Sequence, residues 1–331
     1  MIHSFHFNGS SVRQNVPREE WKGLLECRPG LLWLDLDAPT EDEIDILTEI
    51  FDFHTLSIED CILPNHRPKL DDYDRYLYII FHALSLRQPV KDADSLDILE
   101  LNIFVGPNYL VTFHEDPIPI MNQLRARCSA QPSLLGKGPD FLLHLLMDNI
   151  VDEMTRILDR IEDRLDAIED KILADEEGSL VEINEFKSLI SKFRKIAGPH
   201  RDIVRMLMSQ SFSFIDSHRA IYFKDIHDHL IAINETATML REVIASTLDT
   251  YLSMVSKKLN VVMKFLTIFT VIFMPLNLIA GIGGMSEFTM MISPESWIDP
   301  WPWLIPYALV IILMTLMGLG MFYLLRRSKL A

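Results

Sequence analysis

The chain has 331 residues, 49% of them hydrophobic, and a formal net charge of −16 at pH 7, because 47 Asp and Glu outnumber 31 Lys and Arg. So acidic a chain is a poor partner for nucleic acid and attracts cations instead. Apolar residues are concentrated towards the C-terminal end, which predicts a water-soluble part followed by a membrane part. We find no phosphate loop, nucleophile-elbow or metallohydrolase motif and expect no enzymatic activity.

Residues 1–135 have the pattern of a mixed α/β domain. Four apolar runs are predicted to be strands: Leu31–Leu36, Tyr76–Leu86, Leu96–Val105 and Tyr109–His114. The turn residues Gly106-Pro107-Asn108 join the last two runs as a hairpin. A helix is expected to begin at Thr40, because Thr40 and Glu43 have capping-box spacing, and another to cover Pro119–Cys128. We therefore expect an α+β fold here.

Cysteine and histidine residues in this part show no arrangement typical of a catalytic site. The cysteines Cys27, Cys61 and Cys128 lack metal-ligand spacing, and we expect free thiols in a reducing compartment. Four histidines are scattered along the chain and are interpreted as structural: His54, His66, His82 and His114.

Long amphipathic helices are predicted for residues 136–262. The helices and the breaks between them are, in chain order, Pro139 to Ala174, a break at Gly178, Leu180 to Ala197, a break at Gly198-Pro199, a helix from Asp202, an interruption within Ser209–Phe214, and a helix from Ser217. From Ser217 to Pro275 the last helix would be about 90 Å long at about 1.5 Å per residue. This length fits a stalk that joins a cytosolic body to a membrane span.

Two apolar segments are each long enough to cross about 30 Å of hydrocarbon, and we assign spans to residues 263–286 and 301–325. Basic residues border them at Lys257, Lys258 and Lys264 before the first span and at Arg326, Arg327 and Lys329 in the tail, residues 326–331. The loop between the spans, residues 287–300, has three acidic residues and no Lys or Arg. This asymmetry predicts that both termini are cytoplasmic and that the loop lies outside.

A polar stripe follows one face of the last stalk helix at alternating steps of three and four. Its members are Asp249, Ser253, Ser256, Asn260, Met263, Thr267, Thr270, Met274, Asn277 and Gly281. Polar groups inside a membrane usually face a partner helix or a water-filled cavity. Because one chain with two spans cannot enclose a pore, we expect a ring of subunits around it. Taken singly, Thr267 and Thr270 could instead hydrogen-bond to their own helix.

The end of the first predicted span has the sequence Met274-Pro275-Leu276-Asn277-Leu278-Ile279-Ala280-Gly281-Ile282-Gly283-Gly284-Met285-Ser286. This run resembles the end of the first span in the CorA-type divalent cation channels, a family that includes the ZntB zinc branch. The family carries a Gly-x-Asn signature there. Further segments resemble the family in the same order: Arg67–Leu70, Asp74, Tyr76-Leu77, Ile103–Glu115, Pro139–Leu143, Phe223–His229 and Tyr251–Thr267. The resemblance implies a homopentamer in the cell inner (cytoplasmic) membrane, with an α+β cytosolic funnel domain, long stalk helices and two transmembrane helices. It implies no cofactor, with divalent cations, membrane lipid and other copies of the chain as partners.

The resemblance also implies roles for residues along the pore. A ring at Gly284, Met285 and Ser286 would bind the incoming hydrated cation, and rings at Asp249, Asn260 and Asn277 would solvate it. Met263, Leu266 and Met274 would form a hydrophobic gate. With Thr267, Thr270 and Gly281 from the stripe, these residues make up the expected pore lining.

Ser286 departs from the family signature. A gapless alignment from Pro275 places Ser286 where the signature has Asn. A Ser hydroxyl is shorter than an amide and is a weaker acceptor for the water shell of an ion, so we expect weaker cation binding. Asn277, below the filter, is expected to take over part of the recognition.

A regulatory metal site is expected at Asp225, where the family has an aspartate at an intersubunit divalent-cation site. Asp228 and His229 share its helix face at steps of three and four, and Asp92 or Asp94 of a neighbouring subunit is the expected partner. Carboxylates suit Mg²⁺, whereas an imidazole favours Zn²⁺, Co²⁺ or Ni²⁺. The alternative is that His229 is an ordinary surface residue of the stalk.

Three acidic residues of the outer loop would attract cations to the pore mouth, or have no role with ions: Glu287, Glu295 and Asp299. The leading interpretation is a CorA-type channel for Mg²⁺, with Co²⁺ or Ni²⁺ as further cargo, gated by cytosolic divalent metal. The alternatives are a ZntB-like zinc transporter with proton coupling, for which His227 and His229 are mild support, and a conduction-impaired, metal-sensing membrane paralogue.

Overall fold

The computed structural model describes residues 1–26, 30–63, 66–87, 95–174, 179–209, 212, 215–216, 219–283 and 301–327. The chain forms two units, Met1–Leu248 and Asp249–Ala331. The first contains a β-sheet and the helices that cover it. The second contains the C-terminal part of the longest helix and the helix that follows.

Seven strands of the described chain form one sheet. They are β1 (Ile2–Phe7), β2 (Val12–Gln14), β3 (Leu31–Asp37), β4 (Lys69–Asp72), β5 (Leu77–Leu86), β6 (Leu96–Val105) and β7 (Tyr109–His114), in the order β2-β1-β3-β7-β6-β5-β4. Only β3 and β7 pair in parallel among the described pairs. The predicted hairpin of β6 and β7 is confirmed, with Val105 opposite Leu110.

Eight α-helices are present in the described part of the chain. They are α1 (Arg18–Glu26), α2 (Glu41–Glu49), α3 (Thr55–Ile62), α4 (Pro119–Ala130), α5 (Pro139–Leu173), α6 (Ser179–Ser209), α7 (Ala220–Gly283) and α8 (Trp301–Arg327). The capping box predicted for α2 is confirmed, and Thr40 N donates to the Glu43 carboxylate at 3.0 Å. The bounds of α4 and α5 agree with the sequence prediction to within two residues.

Helices cover both faces of the sheet. Trp21 of α1, Ile46 of α2 and Cys61 of α3 belong to one buried cluster with Leu34 of β3 and Tyr78 of β5. Helix α5 also packs on the sheet, where it contacts β5, β6 and β7. This double coverage explains why β5 and β7 are apolar and buried along almost their whole length, without the alternation of a half-exposed strand.

The break predicted at Gly198-Pro199 is wrong, because α6 continues through both residues to Ser209. A proline inside a helix removes one backbone hydrogen bond and usually bends or ends the helix. Here the next residue, His200, is fully buried, stacks on Phe81 at 3.6 Å between ring centroids, and accepts a hydrogen bond from His82 N at 3.0 Å. Tertiary packing on β5 therefore holds the helix together where local propensity favours a break.

The longest helix, α7, contributes to both units and passes through Pro275. Within the described residues, α7 is the helix found long and apolar enough to cross a membrane, and none of its most apolar window is buried. The following helix, α8, has 27 residues, and its described apolar section is the shorter Ile311–Gly320. The predicted start of α7 at Ser217 lies outside the described residues, and the helix begins at Ala220.

Candidate cation pathway and metal site

The ten positions of the polar stripe all lie in the part of α7 that belongs to the second unit, and all ten are exposed. Even its apolar members Met263 and Met274 are 60% and 69% exposed. Residues three and four apart are neighbours on a helix surface, so the stripe forms one continuous face. The described residues of the chain therefore leave this face of α7 uncovered, so other groups can contact it.

A different face of α7 is partly covered. Ile268, Ile272, Leu276 and Ile279 are half-buried. A Cβ added to Gly318 of α8 would lie 3.8 Å from Leu276 Cδ1. At 3.6 residues per turn, these four positions lie about 100° or more around the helix from the neighbouring stripe residues. The contact with α8 therefore leaves the stripe uncovered.

Three of the four hydroxyl groups of the stripe donate their protons within α7. Thr267 Oγ1 donates to Met263 O and Thr270 Oγ1 donates to Leu266 O, both at 2.8 Å. Ser253 makes the same bond to a carbonyl one turn earlier at 2.9 Å. A hydroxyl has one proton and two acceptor lone pairs, so a back-bonded hydroxyl still offers an acceptor. The local bonds therefore leave oxygen atoms that can accept from water or face a cation.

An open groove runs along the first part of the stripe. Its lining is formed by Asp249, Leu252, Ser253, Ser256, Lys257, Asn260, Val261 and Lys264. The four stripe members among them offer carboxylate, hydroxyl and amide oxygens, which are the ligand types that hard divalent cations and their water shells prefer.

Several predicted residues lie outside the described part of the chain. These are Gly284, Met285 and Ser286 at the filter, Glu287, Glu295 and Asp299 in the outer loop, and Asp92 and Asp94. Gly281 is described and exposed. The exchange of Asn for Ser at the filter thus stays a prediction from the sequence.

A cluster of metal-ligating side chains forms where α5 meets α7. One ligand atom from each of Asp148, Asp225 and His229 lies within 4.8 Å of the other two. Asp148 comes from α5, while Asp225 and His229 lie one turn apart on α7. Two carboxylates and an imidazole can bind a divalent cation and, compared with carboxylates alone, favour Zn²⁺, Co²⁺ or Ni²⁺.

The electrostatics of this cluster favour an added positive charge. Burial, and next the negative charge of Asp152, raise the pKa of Asp148 above its ordinary value. Burial lowers the pKa of the nearby His144, against the opposing effect of Asp148 and Asp225. His144 is therefore a poor source of compensating charge for the two carboxylates. A bound cation would supply it.

The described cluster differs from the predicted one in membership. Asp225 and His229 are present as predicted, but Asp228 lies outside the cluster, with its Oδ1 3.8 Å from His227 Nδ1. Asp148 was not among the predicted ligands, because it lies on another helix and no spacing rule connects it to Asp225. Only the packing of α5 against α7 places it there.

Comparison with known proteins gives a consistent family. A sequence profile described as "CorA-like Mg2+ transporter protein" matches residues 29–327. YfjQ of Bacillus subtilis (strain 168) is 34% identical over 255 residues, 77% of this chain and 78% of that protein. The cobalt/magnesium transport protein CorA of Thermotoga maritima is 30% identical over 272 residues, 82% of this chain and 75% of that protein.

The fold comparison covers nearly the whole chain. The structure of the CorA magnesium transporter from Methanocaldococcus jannaschii matches with a TM-score of 0.81 at 23% identity, covering 99% of this chain and 98% of that one. The predicted combination of an α+β domain with long helices is thereby confirmed. The chain therefore belongs to the family of CorA-like Mg²⁺ transporter proteins, which are membrane transporters of divalent metal ions and not enzymes.

Proposed function

We propose that this chain forms a homopentameric channel that conducts Mg²⁺, with Co²⁺ and Ni²⁺ as further cargo, across the cytoplasmic membrane. The observation that carries this proposal is the exposed stripe of oxygen acceptors on α7, the helix long and apolar enough to span a membrane. Hydrocarbon is a poor environment for Thr267, Thr270 and Asn277, whereas a water-filled pore at the centre of a ring suits them.

The apolar surface of the spans supports assembly in a membrane. Phe265, Phe269 and Leu278 of α7 and Leu316 of α8 are between 49% and 71% exposed. So much exposed apolar surface is rare on a soluble monomer and marks contact with lipid or other subunits. In the proposed topology, residues 263–286 and 301–325 span the membrane and both termini are cytoplasmic. Residues 1–135, 136–262 and 326–331 are cytosolic, and residues 287–300 lie outside.

The proposed gate uses the apolar members on or beside the stripe. Met263, Leu266 and Met274 are all exposed, at 60%, 55% and 69%. Five copies of each, arranged as rings, would form a narrow apolar constriction that stops conduction by excluding water. The polar positions Asn260 and Asn277 lie on either side of this section in sequence, where a hydrated ion would regain oxygen partners.

Regulation is proposed at the Asp148 cluster. A divalent cation bound by Asp148, Asp225 and His229 would tie α7 to α5 and would neutralise the repulsion between the two carboxylates. Loss of cytosolic metal would free this part of α7, the helix that also carries the stripe. Bound metal is proposed to favour the closed channel, and loss of metal to favour the open one.

The experiment is ion uptake into liposomes that contain the purified protein. Uptake of Mg²⁺, Co²⁺, Ni²⁺ and Zn²⁺ is measured with and without a proton gradient, beside a Ser286→Asn variant as the matched control. Saturable Mg²⁺ uptake without a gradient supports the proposal. No native uptake, with uptake in the variant, would show that the Ser286 filter does not conduct and would favour a metal-sensing membrane paralogue.

A ZntB-like zinc transporter is the second candidate, and His229 favours it. This imidazole lies within the described metal cluster, and nitrogen ligands suit Zn²⁺ better than Mg²⁺. Zinc uptake that depends on a proton gradient, with no saturable Mg²⁺ uptake, would replace the magnesium proposal with this one.

A further inference from the structure

Two exposed methionines lie on the same side of α7. Met263 and Met274 are about three turns apart, at about 3.6 residues per turn, and within about 20° of each other around the helix axis. Both side chains are exposed, whereas Met121, Met147 and Met154 of the first unit are fully buried. The two thioether sulfurs of α7 are therefore open to reagents that cannot reach the methionines of the core.

Each of the two methionines lies beside an amide side chain of the stripe. Met263 follows Asn260 by three residues and Met274 precedes Asn277 by three, and residues three apart are neighbours on a helix surface. In the proposed channel, on which this inference rests, the two amide rings keep water at both ends of the apolar section. A small polar oxidant that travels with water then reaches both sulfurs, and Leu266 alone lies between them.

Hydrogen peroxide converts a methionine thioether into a sulfoxide. A sulfur lone pair attacks one peroxide oxygen, the O–O bond breaks and an S–O bond forms. The other oxygen leaves with both protons as water, so the sulfur is oxidised by two electrons and the peroxide is reduced. The product is polar, and methionine sulfoxide reductases convert it back to the thioether.

Oxidation changes the property on which the proposed gate depends. An apolar constriction stops conduction by excluding water, and a thioether sulfur is only a weak hydrogen-bond acceptor. A sulfoxide oxygen can accept hydrogen bonds from the water shell of an ion. Of the three proposed gate residues, Leu266 alone would stay apolar after oxidation. The closed gate would therefore hold water and conduct.

We propose that Met263 and Met274 are sites of reversible oxidation by peroxide and that their sulfoxides open the gate. The Asp148 cluster lies in the first unit of the chain, whereas both methionines lie in the second. The channel would thus respond to oxidants without loss of the regulatory metal.

The test uses the full-length protein in liposomes, with saturating Mg²⁺ on both sides to keep the native channel closed. Uptake of isotopic Mg²⁺ is measured before and after hydrogen peroxide, and again after treatment with the reductases for both sulfoxide epimers. Peptide mass spectrometry locates the sulfoxides. We expect oxidation at Met263 and Met274 ahead of the buried Met121, Met147 and Met154, with a severalfold rise in uptake that the reductases reverse.

The deciding variant combines Met263→Leu with Met274→Leu, which nearly conserves side-chain volume and removes both sulfurs. Peroxide should leave its uptake unchanged. Met239→Leu is the matched control, because Met239 is an exposed methionine of α7 outside the stripe, and it should respond as the native protein does. Met274→Gln, which introduces a polar oxygen without oxidation, should raise uptake in the absence of peroxide.

Three results would overturn this inference and leave the proposed channel standing. They are sulfoxides at both positions with unchanged uptake, no sulfoxide at either position, and an equal response in the double variant. The double variant keeps Met285 at the filter, so an equal response would come from another residue. No uptake by the native protein before or after oxidation would overturn the proposed channel and this inference with it.

Discussion

Asp148 of α5 and Asp225 of α7 place carboxylate oxygens within 4.8 Å of each other, although the two residues lie on different helices. Two carboxylates this close repel each other unless a proton or a cation lies between them. In the proposed channel, this pair would connect the packing of α5 on α7 to the binding of a cation.

The first prediction concerns stabilisation by metal. At free Mg²⁺ ten times the dissociation constant, binding to the native state alone should raise the free energy of unfolding by about 1.4 kcal/mol. Asp148→Asn and Asp225→Asn should each lose this increment, while Asp228→Asn, outside the cluster, should keep it. Protease protection and thermal unfolding across an Mg²⁺ titration measure the effect. Full protection in Asp148→Asn would remove Asp148 from the site.

The second prediction concerns recognition in the pore. If Asn277 compensates for the Ser286 filter, Asn277→Ala should lose more Mg²⁺ flux than Ser286→Ala in the liposome assay. The physical reason is that an amide carbonyl is a stronger acceptor for the water of a hydrated ion than a hydroxyl. The reverse order of the two variants would show that the filter position dominates.

The third prediction concerns the back-bonded hydroxyl of Thr270. Thr270→Ser keeps the oxygen acceptor, whereas Thr270→Val keeps the shape and removes the oxygen. We expect the Ser variant to conduct like the native protein and the Val variant to conduct at least severalfold less. The reason is that the Thr270 hydroxyl oxygen, which donates to Leu266 O, can still accept a hydrogen bond, and the Val variant lacks this oxygen. Equal conduction in the two variants would show that the Thr270 hydroxyl serves only its hydrogen bond within α7.

The fourth prediction concerns pH and a buried histidine. Burial alone would lower the pKa of His114, but the carboxylate of Asp35, then the backbone carbonyl of Asp116, and then the charge of Asp37 outweigh it and raise the pKa above its ordinary value of 6.5. His114 Nε2 is 3.4 Å from Asp35 Oδ1, and its Nδ1 is 2.8 Å from Asp116 O. The charged form is therefore the one that stabilises the fold.

The sign follows from linkage between proton binding and folding. A histidine with a raised folded-state pKa contributes its full stability below the unfolded-state pKa and loses it as the pH rises through the folded-state value. The difference in unfolding free energy between the native protein and His114→Asn should thus shrink as the pH rises above 6.5. His6→Asn is the control, because burial lowers the pKa of His6 from its ordinary value of 6.5. Its difference in unfolding free energy should grow as the pH rises towards 6.5 and stay level above that value. A difference that is independent of pH would contradict the assignment.

The fifth prediction concerns the start of α5. Asp140 is 5% exposed and accepts hydrogen bonds from Phe141 N at 2.9 Å, from Asp216 N at 3.1 Å and from Arg219. Asp140→Ala leaves these donors without the carboxylate and should lower the free energy of unfolding by about 3 kcal/mol. Chemical denaturation measures the loss. Asp152→Ala, an exposed carboxylate on the same helix, should change it by less than about 1 kcal/mol.

Local patterns in the sequence correctly predicted the structural features that depend on a single segment of the chain. The capping box at Thr40, the hairpin turn at Gly106 and the bounds of α5 follow from residues within a few positions of one another. The family and the α+β fold with long helices are also confirmed, because ordered motifs along most of the chain carry them. The stripe on α7 is exposed as a pore would require, and its role stays a prediction.

The tertiary structure decided what depends on contact between distant segments. Gly198-Pro199 predicted a break, yet the burial of His200 against β5 keeps α6 continuous, because packing outweighs the loss of one hydrogen bond. Asp148 could not be paired with Asp225, because spacing rules describe a single helix or strand. Local propensity acts through neighbours in the chain, whereas a binding site acts through neighbours in space, and only the packed fold defines the second kind.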